Sequence, residues 1–210
     1  MDPNLIANAL SLTLFFVALF ISLRAFYLYI QVRSRRLFIL GLSMGVISLT
    51  AVAGFLGDNV TSINLNVDWF NYIGQTISFL FILLSLFGSS EEYLRGLMRW
   101  QVVVSVLLLC LFLLAPVLPA EFPYPAVTKS ILSGSRGLIC LAIFVSYFSA
   151  YMTKETRFSL LMSIAFLLLS IGYLMIIPKY SIANLDLVDQ FGDLTRICGL
   201  FTLSLAVLTG

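Results

Sequence analysis

The chain has 210 residues, of which 60% are hydrophobic and only 10% charged, and its net charge is +2. A soluble domain carries roughly 25% charged residues, so an ordinary water-facing surface is excluded and lipid must be the solvent for most of this one. The absence of histidine removes the commonest metal ligand, the commonest general acid/base near neutral pH and the usual axial ligand of haem.

A membrane span needs about 20 apolar residues, and the hydrophobic runs predict seven of them. The first covers Leu5 to Ile30 and ends in Arg33-Ser34-Arg35-Arg36. The preceding Met1-Asp2-Pro3-Asn4 lacks the basic segment of a cleavable signal peptide, so this span is expected to be retained. The second covers Leu37 to Leu56 and exits into the turn-forming Gly57-Asp58-Asn59. The third opens at Asp68 or Trp69 and closes at Phe87, followed by a polar stretch from Gly88 to Trp100. The fourth covers Gln101 to Leu118 and stops at the proline-rich Pro119–Pro125. The fifth covers Val127 to Met152, the sixth Phe158 to Ile177 and the seventh Val188 to Leu208. The fold class is therefore all-α: a single seven-helix transmembrane domain over residues 1–210.

Lys and Arg near span ends set orientation. The loops after spans one, three and five hold Arg33, Arg35, Arg36, Arg95, Arg99, Lys154 and Arg157; the opposite side holds Lys129 and Lys179. This bias predicts an outside N-terminus and a cytoplasmic C-terminus in the plasma membrane. It puts the glycosylation sequon Asn59-Val60-Thr61 on an outside loop. Four features also recur at one offset: Arg36 with Arg157, Leu40 with Leu161, Asp68 with Asp189, and Phe70 with Phe191. They suggest that spans one to three repeat as five to seven, in parallel, with the fourth as connector.

Three charges lie inside spans: Arg136, Asp193 and Arg196, roughly 8 to 13 Å from the outer helix ends at 1.5 Å per residue. A charge at that depth normally faces the bundle interior and has a partner. Asp189, Asp193 and Arg196 share one face of span seven by i, i+4, i+7 spacing; Lys129, Ser133, Arg136 and Cys140 share one of span five. Asp68, Asn71, Gln75 and Ser78 line span three at similar depth. The expectation is one outer-leaflet polar pocket, with Arg136 and Arg196 as anion anchors and Asp193 as their orienting partner. Gln75 and Asn71 would form its wall and Asp189 its outer edge. The competing expectation is an internal ion-pair network in which Asp193 pairs with Arg136 or Arg196 and locks helices five and seven together. Close helix packing is expected at Ser130, Ser133, Gly134 and Gly137 in span five and at Gly41, Gly45 and Ser48 in span two.

Cys110, Cys140 and Cys198 lie in apolar runs without a CxxC motif, so they read as free thiols and no metal is expected. Asp68-Trp69 and Asp193-Leu194-Thr195-Arg196 resemble elements of microbial rhodopsins. The retinal Schiff base needs a lysine that span seven lacks, so no cofactor is implied. The proline motifs of seven-helix sugar carriers are missing, and Gly88-Ser89-Ser90 stands where a G-protein-coupled receptor carries Asp/Glu-Arg-Tyr. Without a deep carboxylate pair, a metal cluster or a phosphate loop, the chain does not read as an enzyme, and nucleic acid is not an expected partner. The leading expectation is a sensor or receptor-type module for a small anionic or amphiphilic ligand, signalling through span seven to a cytoplasmic domain or partner. A small-solute transporter and a structural subunit among other membrane subunits are the alternatives.

Overall fold

The computed structural model describes residues 3–59, 67–88, 90–115, 117, 124–180 and 186–209. The sequon and the centre of the proline-rich loop fall largely outside these, as do the side chains of Asn59 and Lys179. The helices are α1 (Pro3–Val32), α2 (Arg35–Asn59), α3 (Asp68–Phe87), α4 (Glu91–Leu113), α5 (Pro125–Lys154), α6 (Arg157–Met175) and α7 (Asp186–Thr209), with a short 3-10 helix at Ile177–Tyr180. All seven α-helices are long and apolar enough to cross a membrane. Helices keep every backbone hydrogen bond inside the segment, which is what lipid demands.

Several boundaries differ from the sequence expectation, among them the end of α4 at Leu113 instead of Leu118. Gly57-Asp58-Asn59 continues α2 instead of turning. Helix α6 stops at Met175, and Pro178, which lacks an N–H, sits in the 3-10 turn. The largest shift is in α4, which starts at Glu91 and not near Gln101. Ser90 caps it by accepting a 3.2 Å bond from the Tyr93 N–H, and Glu91 and Glu92 sit at the positive end of the helix dipole. Leu94, Leu97 and Gln101 then face inward while Arg95 and Arg99 are exposed. The polar stretch is an amphipathic turn of helix.

Six helices form a closed ring: α1 packs on α2, α2 on α3, α3 on α5, α5 on α6, α6 on α7, and α7 returns to α1. All six contribute to one core, with Ile21, Ile47, Phe79, Ile143, Phe166 and Leu203 among its members. Helix α4 lies outside the ring and, among the described residues, touches α2 and α3 only. Two small clusters hold it, Ile39–Phe81–Leu94–Leu97 near one end and Ala53–Val67–Phe70–Leu108 near the other. Between them Gln101, 1% exposed, donates to the Ile39 carbonyl at 2.9 Å and to Ser43 Oγ at 2.8 Å. Gln101→Leu keeps the volume and removes both bonds. It is expected to cost about 1 kcal/mol, seen as faster hydrogen exchange confined to α4; unchanged exchange there would show that the clusters suffice.

The ends of the bundle differ in chemistry. At one end Arg35 forms an ion pair with Glu91, and Arg36 donates to the Gly88 carbonyl at 2.9 Å. At the other, Lys129 Nζ meets Asp68 Oδ2 at 2.7 Å.

Candidate functional site

The polar layer at the Asp68–Lys129 end is built from α3, α5, α6 and α7. On α3, Asp68, Tyr72 and Gln75 follow i, i+4, i+7 spacing, so they share one face. Lys129 pairs with Asp68 and stands 5.6 Å from the centre of the Tyr72 ring. The Tyr72 hydroxyl meets that of Tyr180, on the 3-10 turn, at 3.0 Å.

About two turns past Lys129 on α5 lies Arg136, only 5% exposed. Its guanidinium sits between two aromatic faces, 4.8 Å from the Tyr72 ring centre and 4.7 Å from that of Tyr173. It donates to Gln75 Oε1 at 2.6 Å and to Ser133 Oγ at 3.0 Å. Gln75 donates in turn to Asn71 Oδ1 at 2.6 Å and accepts a longer bond, 3.4 Å, from the Tyr173 hydroxyl. Arg136 Nε is buried without an acceptor, and none of the ion pairs among the described residues involves Arg136. Each aromatic face contributes about 0.5–2 kcal/mol; a carboxylate would neutralise the charge, and these neutral groups do not.

Arg196 also approaches Tyr173, its guanidinium carbon 5.3 Å from the same ring centre. Arg196 forms an ion pair with Asp193, three residues back on α7, and its Nε is also buried without an acceptor. Lys129, Tyr72, Arg136, Tyr173 and Arg196 thus form a column of alternating cations and rings. Among the three buried charges, Arg136, Arg196 and Asp193, one positive charge is in excess.

Of the six residues expected to form the site, Arg136, Gln75 and Asn71 come together in one hydrogen-bonded chain, and Asp193 and Arg196 in an adjoining pair. Asp189 lies one turn from Asp193 and is half-buried. Of the two partners the ion-pair expectation gave Asp193, the one found is Arg196, and no pair with Arg136 occurs among the described residues. Asp193 pairs within its own helix, and among the described residues α5 and α7 do not pack on each other while α6 packs on both. The link runs through Tyr173, so α6 belongs to the polar layer and is not merely packing.

The sequence reading missed Tyr72 and Tyr173. Tyr72 was accessible to it, because the same face test that joined Asp68 to Gln75 includes position 72. Tyr173 gave no such signal, sitting in an otherwise apolar helix. It also missed what brings α7 so close. A Cβ on Gly172 would stand 2.4 Å from Arg196 Cγ and 2.8 Å from the Gly192 carbonyl oxygen. The close packing expected on α5 is present at Gly137, where a Cβ would lie 2.8 Å from Leu174, but the tighter approach is on α6. Gly172→Ala is expected to cost about 1–3 kcal/mol through overpacking and to lower Tm by roughly 3–10 °C. Gly96→Ala, inside α4 with nothing within 4 Å of the new carbon, is the control and should melt no lower than the original protein. Equal melting of the two variants would refute the close approach.

Cys140 is buried in the core, and Cys110 and Cys198 are exposed as free thiols. No family model, curated protein or solved structure matches the chain.

Proposed function

We propose that this integral, multi-pass membrane protein is a receptor-type module that binds a small anion-bearing ligand beside Arg136. One observation carries the reading: a guanidinium 5% exposed, held by an amide, a hydroxyl and two rings, with no carboxylate partner among the described residues. Buried ionisable groups in membranes mark ligand or ion sites by default, and a planar fork with a free donor suits a carboxylate or phosphate. In the orientation given by the positive-inside rule, the site lies toward the outside of the plasma membrane. Helix α7, through Arg196 and Asp193, is the element whose position the ligand would bias, with a cytoplasmic domain or partner as the readout. The test uses the protein in nanodiscs of zwitterionic lipid, titrated with inorganic phosphate, acetate and butyl phosphate while Tm is followed. Saturable stabilisation by at least one of these anions, and none by the uncharged butanol, is the expected result. A flat response to all three sinks the reading.

A transporter is the second reading, favoured by the ring. Helices α1 and α5 each have 30 residues, and each ends in a left-handed residue, Arg33 at φ 54° and Glu155 at φ 49°. Ser34-Arg35 and Thr156-Arg157 then open the next helix. The equivalent of Arg157 is Arg35 in this register and not Arg36, one residue from the sequence match. Counterflow of labelled phosphate in proteoliposomes separates the two: a transporter moves the anion and a receptor only binds it.

A further inference from the structure

The arginine-rich end carries a cavity of about 360 Å³ between α1, α2, α6 and α7. That is within the range of about 300–1,000 Å³ typical of small-molecule sites. Its wall includes Leu28, Leu37, Leu40 and Phe158, and its polar lining is confined to Arg24 and Thr156. It is distinct from the Arg136 layer, which lies toward the opposite end of the helices.

Arg24 is half-buried and makes one hydrogen bond among the described residues, a long one of 3.4 Å to the Leu208 carbonyl. Leu208 lies in the last turn of α7, whereas α1 continues for eight residues past Arg24. That is roughly 12 Å at 1.5 Å per residue. The α1–α2 hairpin, through Arg24, Leu28, Leu37 and Leu40, forms one wall of the cavity. Thr156 caps α6, accepting from the Ser159 N–H at 3.3 Å, so the positive end of the α6 dipole adjoins the cavity. Arg157 follows directly. An apolar slot with one cation, Arg24, and a helix N-terminus in its lining has the charge pattern of an amphiphile with an anionic head.

We propose that this cavity holds one acyl chain of an anionic phospholipid, with the phosphate drawn to Arg24 and the start of α6. A neutral lipid would fill the slot without answering the charge, and a free anion would answer the charge without filling the slot.

Purified protein in maltoside micelles is supplemented with dioleoyl phosphatidylglycerol, dioleoyl phosphatidylcholine, oleate or inorganic phosphate, and Tm is followed. Phosphatidylglycerol is expected to raise Tm by roughly 5 °C at saturation, with phosphatidylcholine and phosphate far behind. Arg24→Gln should remove the advantage of phosphatidylglycerol over phosphatidylcholine, and Arg24→Lys should keep part of it. Leu28→Trp, which fills the slot from its half-buried wall, should remove the response to both lipids. Equal shifts from the two phospholipids in the unaltered protein overturn the proposal without any variant. A response to oleate that phosphatidylglycerol does not match overturns the phospholipid assignment. A full phosphatidylglycerol response in both Arg24→Gln and Leu28→Trp places the lipid elsewhere and also overturns it.

Discussion

Replacing Asp193 with asparagine is expected to destabilise the protein by about 3 kcal/mol, a fall in Tm of roughly 6–12 °C. The side chains of Asp193 and Arg196 are 11% and 16% exposed, so neither is solvated enough for water to replace the partner. Removing one member of such a pair leaves an uncompensated charge in low dielectric, which costs about 3–5 kcal/mol. The lower figure applies because Asp189 sits one turn back on the same face and screens part of the charge. Arg196→Met should cost less, since the residue left behind, Asp193, can take up a proton and become neutral. The double variant Asp193→Asn/Arg196→Met should melt above Asp193→Asn alone. If it melts no higher, Arg196 is not the charge that Asp193 serves.

Arg136→Met should behave in the opposite way. Arg136 has no carboxylate to strand, and placing an arginine at the membrane centre costs about 2.5–3.5 kcal/mol. The variant gives up two hydrogen bonds and two ring contacts but also sheds that cost. Its stability is expected to stay within about 1 kcal/mol of the original. Anion binding should fall by about 100-fold, because a charge-assisted hydrogen bond contributes about 1.5–3 kcal/mol. Stability kept and binding lost is the pattern of a site that exists for its ligand. Stability lost together with binding would make Arg136 a structural tie between α3 and α5. Titration with butyl phosphate beside a melting curve gives both numbers from one preparation.

Spacing made the larger part of the fold legible. Seven apolar runs are seven helices because lipid leaves the backbone no other economical form, and the i, i+4, i+7 rule put Gln75 and Arg136 on facing surfaces. Spacing left Asp193 two partners, Arg196 on its own helix and Arg136 on α5, without deciding between them. Asp193 and Arg196 are three residues apart, and that local contact won over any reach to α5. Spacing failed at α4, where charges on the exposed face masked Leu94, Leu97 and Gln101 on the other. Tyr173 and Gly172 were illegible for a different reason. Their roles depend on how closely α6 and α7 approach, and distance between helices is not written in the period of either one.

The pairing within α7 also bears on how the protein is made. A segment entering the bilayer with two unmatched charges would be opposed by both of them. Because Asp193 and Arg196 neutralise one another within a single turn, α7 brings its own counter-ion and needs no other helix before it inserts. Helix α5 has no such provision. The groups that receive Arg136 outside its own helix are Gln75 and Tyr72 on α3 and Tyr173 on α6. Of the two helices that receive Arg136, α3 precedes α5 in the chain and is already synthesised when α5 emerges, whereas α6 follows it.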